Sequence, residues 1–218
     1  MRKIILLLTL VLTNNVLSAQ NQEWLTYNLD SIISIEMPNE VFELDTIAQG
    51  MRMYQIYSYT ENSTFIAQKS LFEKESQNED LSRLPYNLKS LIEQYNGTID
   101  GIASSIPYEL ESRELIEKEG YKGYRLKFKD SLNNPTYQVE LYLLNKHLYS
   151  FYYIGLENFD NNEKELFFNS IKINPNQEIS QYLGKAQSYR IGYLFGKYFF
   201  YILIFGVIIY FIVRKKKK

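Results

Sequence analysis

Cysteine is absent from the 218 residues. That one absence removes disulfides, thiol nucleophiles, thiolate metal sites and a lipid-attachment cysteine, so the chain must hold itself together by packing. Histidine occurs once, as His147, and no other His or carboxylate converges on it at metal-ligand spacing. It reads as a structural residue at the start of a strand. The ten glycines include no phosphate-cradling loop, and no serine sits in a nucleophile elbow. No catalytic residue, no cofactor-binding residue and no metal ligand is therefore assigned, and no cofactor is expected. Two carboxylates can always meet in space to cleave a glycoside, but nothing in the sequence singles out a pair.

Positive charge is scarce where most of the chain lies. All 25 acidic residues fall between Glu23 and Glu178, whereas ten of the 24 Lys and Arg lie outside residues 20–180, leaving that middle at −11. Nucleic acid is not an expected partner, because binding it requires Lys and Arg to neutralise phosphates. An acidic domain is also repelled by anionic headgroups, so it should stand off a membrane surface. Carboxylates gather at Glu73, Glu75, Glu79 and Asp80, and again at Glu109, Glu111, Glu114, Glu117 and Glu119. A divalent cation could bridge the second group; a charged edge guarding a sheet against association explains it equally well.

The two ends are apolar and differ in kind. Met1-Arg2-Lys3, an apolar run over 4–17 and the small Ser18-Ala19 have the form of a secretory signal peptide over 1–19, cut after Ala19 or, alternatively, Ser18. Residues 193–213 form an apolar, aromatic run long enough for a ~30 Å hydrocarbon core. Arg214, Lys215, Lys216, Lys217 and Lys218 follow as a basic tail over 214–218 that should remain cytoplasmic. Lys197 can snorkel outward from the first turn of the span. The organisation expected is thus a domain over 20–175, a polar and loosely helical stalk over 176–192, and a single membrane helix. The domain would sit on the periplasmic side of the inner (cytoplasmic) membrane. Gly192 and Gly196, spaced Gly-x-x-x-Gly at the outer end of that helix, are the candidate helix–helix contact. A homodimer formed there is the alternative to glycines merely tolerated at a membrane boundary.

Within the domain, β-branched and tyrosine-rich runs over 24–27, 31–38, 41–45, 51–60 and 64–72 predict strands of a partly covered sheet. The period then changes. Leu81, Leu84, Leu88, Leu91, Ile92, Tyr95 and Ile99 recur at helical spacing, which predicts a helix with Pro85 in its first turn and Asp80 or Ser82 as cap. Asn96-Gly97 either ends this helix or is bridged into the segment that follows. Four strands over 109–118, 121–129, 136–144 and 147–156, separated by short polar turns, predict antiparallel neighbours. A last helix over 160–170 carries Asp160 and Glu163 in a capping-box pattern, with Leu166, Phe167, Ser170 and Ile171 as its buried side. The fold class expected is α+β, an antiparallel sheet with helices packed on it.

This layout resembles the PsbP-like fold. The features that carry the resemblance are the opening strand ending at Pro38, the later strand pair, the helix near 82–96, Gly120-Tyr121-Lys122-Gly123-Tyr124-Arg125-Leu126 in the meander, and the closing Phe167-Phe168-Asn169-Ser170-Ile171-Lys172-Ile173. It spans residues 24–173 and rests on the order of elements, not on a chemical motif. What the resemblance implies is a binding or assembly module working around larger membrane complexes. The function expected is accordingly a membrane-tethered interaction module without catalytic activity, acting on other cell-envelope proteins. A small-ligand or cation-binding sensor is the alternative, and a hydrolase ranks last.

Overall fold

The computed structural model describes residues 23–38, 40–48, 51–71, 84–132, 134–155 and 159–184. The expected signal peptide, membrane span and basic tail lie outside these residues, as do Gly192, Gly196, Lys197, Arg214 and the four terminal lysines. No helix among the described residues is long and apolar enough to cross a membrane.

Alternating side chains build one antiparallel sheet of seven strands from β3 (Phe42–Ala48), β4 (Met51–Tyr59), β5 (Ser63–Leu71), β6 (Glu109–Lys118), β7 (Tyr121–Lys129), β8 (Pro135–Leu144) and β9 (His147–Gly155). Their order across the sheet is β3-β4-β5-β9-β8-β7-β6. Left-handed residues make the tight turns: Glu119 (φ 51°) and Gly120 (φ 86°) join β6 to β7, and Asn145 (φ 55°) leads into β9. Between β7 and β8 the Asp130 carboxylate accepts the amides of Leu132 at 2.8 Å and Asn134 at 2.9 Å. Strand β9 occupies the centre of the sheet, which is why it is apolar on both faces.

The first two strands do not join this sheet, contrary to expectation. β1 (Trp24–Asn28), β2 (Ile33–Pro38) and β10 (Lys172–Ile173) form a separate three-stranded layer in the order β1-β2-β10. Together with α2 (Asn161–Ser170) it covers one face of the large sheet. Ile33, Ile35, Met37, Phe167 and Phe168 pack there against Phe65, Ala67, Phe151 and Tyr153, all essentially inaccessible to solvent. Trp24 meets Phe65 edge-on, with centroids 5.5 Å apart.

On the opposite face lies α1 (Leu88–Ser105), which buries Leu91, Tyr95 and Ile99 against Tyr124, Leu126, Phe128, Val139, Leu141 and Leu143. Its start differs from the expected one. The N-cap is Asn87, whose side chain accepts the Ser90 amide at 2.9 Å while Ser90 Oγ accepts the Asn87 amide at 3.0 Å. The helix starts at this reciprocal cap, so Pro85 precedes it, Leu84 is buried before it and Leu88 is exposed, while Asp80 and Ser82 lie outside the described residues. The helix also continues through Asn96-Gly97, because burying Tyr95 and Ile99 on either side outweighs the ~1 kcal/mol helix penalty of a glycine.

At α2 the Asp160 cap is present, its carboxylate accepting the amides of Asn162 and Glu163. The reciprocal half of the box is missing, since the Asp160 amide donates to Tyr153 Oη at 3.0 Å. Phe167 and Ile171 are buried as expected, but Leu166, also expected inside, is 54% exposed, and Lys164 and Phe168 are buried in addition. The small sheet meets this helix on a face rotated by one residue from the expected one.

Beyond Pro175 the described chain carries no helix; residues 177–184 form an irregular strap along the domain. Gln181 is buried, its Oε1 accepting the Lys122 amide at 2.8 Å and its Nε2 donating to the carbonyls of Lys122 at 2.7 Å and Leu143 at 3.0 Å. Gly184 donates its amide to the Pro85 carbonyl at 2.7 Å, and a Cβ there would collide with the Leu84 backbone.

Candidate interaction surface

The residues that sequence reasoning weighed for chemistry are dispersed. His147 lies at the start of β9 with its Nδ1 shielded from solvent and without a hydrogen-bond partner among the described residues. Burial lowers its pKa, and Lys69 nearby adds to the effect. Of the acidic group, Glu117 pairs with Lys122, Glu109 lies 3.6 Å from Lys129, and Glu119 Oε2 accepts the Ile173 amide at 2.9 Å. A bulge between Leu110 and Ser112 breaks the strand alternation that would have aligned them. No three His, Asp or Glu side chains among the described residues are placed to hold a metal ion. Glu73, Glu75, Glu79 and Asp80 lie outside the described residues.

Two ionic clusters, one buried around Glu140 and one half-buried around Asp30, escaped the sequence reading. Glu140 is 0% exposed; its Oε1 accepts Arg125 Nε at 2.9 Å and Nη2 at 2.7 Å, and its Oε2 accepts Tyr142 Oη at 2.8 Å. The β7–β8 register that pairs Phe128 with Tyr137 also sets Arg125 opposite Glu140, but a register shift between Phe128 and Lys129 means that counting back from the 130–134 turn pairs Arg125 with Val139 and misses it. In the second cluster Asp30 Oδ2 accepts Lys69 Nζ and Tyr149 Oη, each at 2.6 Å, while Oδ1 accepts the amides of Ile32 and Ile33. Burial acts to raise the Asp30 carboxyl, but these hydrogen bonds outweigh it and hold the group below the usual carboxylate range. Both clusters have their polar atoms matched within the protein. They tie layers together: Asp30 fastens the β1–β2 turn to β5 and β9.

A different kind of feature lies on the α1 face. The helix packs over the β6–β9 half, leaving the β3-β4-β5 half of that face uncovered among the described residues. Strand register brings Phe42, Tyr57, Ile66 and Tyr152 into one row across four strands. Phe42 stacks on Tyr57 at 5.3 Å and on Tyr59 at 5.9 Å. Phe42 is 48% exposed, Leu44 46% and Tyr59 57%. Inside the sheet the same strands bury Ile56, Phe65 and Ala67 on the other face, so the outward aromatics are not needed to fill a core. An adjoining aromatic patch rimmed by polar residues is the surface expected of a docking site. The high tyrosine content was visible in the sequence; which tyrosines would be left uncovered was not, because that depends on where α1 lands.

No protein-family model and no curated protein sequence matches this chain. Among solved structures, the solution structure of cyanobacterial PsbP (CyanoP) from Synechocystis sp. PCC 6803 is similar to it, over 72% of this chain and 96% of that one, with 13% identity and a TM-score of 0.44. No fold, activity or partner is argued from this likeness.

Proposed function

We propose that this chain is a non-catalytic interaction module of the cell envelope, tethered by residues 193–213 to the inner membrane with its domain outside, and that it docks another envelope protein on the aromatic half of its sheet. The observation that carries this reading is exposed Phe42 stacked on half-buried Tyr57 and exposed Tyr59, beside exposed Leu44. Stacked aromatic side chains offer large rigid contact area at low entropic cost, which suits them to recognition. The strap supports the tether. With Gly184 held against Pro85, eight residues (185–192) separate the domain from the proposed span, a reach of at most ~28 Å when fully extended. A partner would therefore be met close to the membrane. The test is crosslinking in intact membranes from the position of Tyr59, with the captured protein identified by mass spectrometry. Protease added to spheroplasts should also remove the domain, and full protection would contradict the orientation.

A further inference from the structure

The two outer strands of the seven-stranded sheet are built differently. β6 is guarded: Glu109, Glu111, Arg113, Glu114, Glu117 and Lys118 charge six of its ten positions, and a bulge between Leu110 and Ser112 breaks its run. Charges and bulges of this kind stop an edge from pairing with another chain. β3 at the other end has no bulge and only two charged residues, both acidic. Its seven residues, Phe42-Glu43-Leu44-Asp45-Thr46-Ile47-Ala48, keep unbroken register with β4 and contain no lysine, proline or glycine. Ile47, which points to the opposite face from Phe42 and Leu44, is 74% exposed.

What β3 does carry is two carboxylates on one face, Glu43 and Asp45. They decide which strand it can accept. A second copy pairing antiparallel about Leu44 would place Glu43 opposite the other copy's Asp45, and pairing about Asp45 would oppose the two Asp45 side chains. Like charges directly opposite destabilise a strand pair, whereas opposite charges stabilise it. The −11 of residues 20–180 extends the same preference beyond the edge.

Resting on the interaction reading above, we infer that the β3 edge takes up an extended segment of a partner protein in which Lys or Arg alternates with apolar residues, adding it as an eighth strand. Main-chain hydrogen bonds supply affinity, the basic side chains oppose Glu43 and Asp45, and the apolar ones continue the row begun by Phe42 and Leu44. Asp45 is also held by Arg52 at 2.8 Å, but that pair is exposed on both sides and yields at little cost to the fold.

The experiment uses the full chain in detergent micelles with three labelled peptides matched to the seven residues of β3. One alternates valine with lysine, one valine with glutamate, and one has the sequence of β3 itself. The lysine peptide should bind and slow hydrogen exchange at the amides of residues 42–48. In the double variant Glu43→Lys/Asp45→Lys, checked for folding by circular dichroism, it should bind about tenfold more weakly and the glutamate peptide should gain. Protection confined to another part of the chain, equal binding of the β3 peptide, or an unchanged affinity in the double variant each overturns the inference. Crosslinking from Tyr59 separates the two levels. Capture of a partner that persists in the double variant removes strand addition and leaves the interaction reading standing. No capture from Tyr59 in the unaltered protein removes that reading, while exchange at β3 judges the edge by itself.

Discussion

Replacing Arg125 by methionine leaves Glu140 as a buried carboxylate with Tyr142 as its one remaining hydrogen-bond donor. Glu140 is 0% exposed, and two of its three side-chain hydrogen bonds come from Arg125. Removing one partner of a buried pair costs about 3–5 kcal/mol, because the surviving charge stays desolvated. Lys118 lies near enough to act electrostatically on this site, which places the expectation at the lower end, about 3 kcal/mol. The double variant Arg125→Met/Glu140→Gln removes the charge and keeps an acceptor for Tyr142, so it should return to within ~1 kcal/mol of the unaltered protein. Urea unfolding followed by Trp24 fluorescence is the assay. Trp24 is the chain's one tryptophan, and its contact with Phe65 reports on the packing of the two sheets. A single variant that loses less than ~1 kcal/mol, or a double variant as unstable as the single, would refute the claim that the pair matters by cancelling a buried charge.

Two further predictions concern pH and the strap. The lowered His147 pKa means that the unfolded chain takes up a proton first as pH falls through about 6.5, so stability declines from there. The lowered Asp30 pKa adds a contribution that is complete above about 3.9 and is lost as pH falls further. Urea midpoints across pH should therefore fall in two stages; His147→Gln removes the upper stage and Asp30→Asn reduces the lower. For the strap, Gln181→Ala leaves the Lys122 amide and the Leu143 carbonyl without their side-chain partner, while the Lys122 carbonyl keeps the Tyr95 hydroxyl at 2.9 Å. It should expose residues 177–184 to limited proteolysis while lowering global stability by about 1–3 kcal/mol. Unchanged cleavage would mean that Gln181 does not hold the strap.

The meander was legible because its signals are local. Alternation in 136–144 and 147–156 and the turn residues at Glu119-Gly120 and Asn145-Lys146 each decide a few adjacent residues. The start of α1 was misread because Ser90, which closes the cap, is not the Glu or Gln of the usual pattern, and Pro85 fits the first turn of a helix as well as the residues before one. The separate small sheet had no local signal: β10 is two residues long and reaches β2 from more than a hundred residues away. Leu166 went astray for a related reason, since the side of α2 that is buried is chosen by β2 and not by the helix's own weak periodicity. The candidate surface depends most of all on tertiary placement. Phe42, Tyr57 and Tyr59 have the pattern of ordinary strand residues until α1 settles over the other half of the sheet.

A photoreactive residue placed at Tyr59 in intact membranes tests most directly whether the aromatic half of the sheet is the docking surface. Leu132, 77% exposed in the β7–β8 turn, serves as the control position. One specific protein adduct is expected from position 59 and none from position 132. The same adducts from both positions, or none from position 59, would contradict docking there.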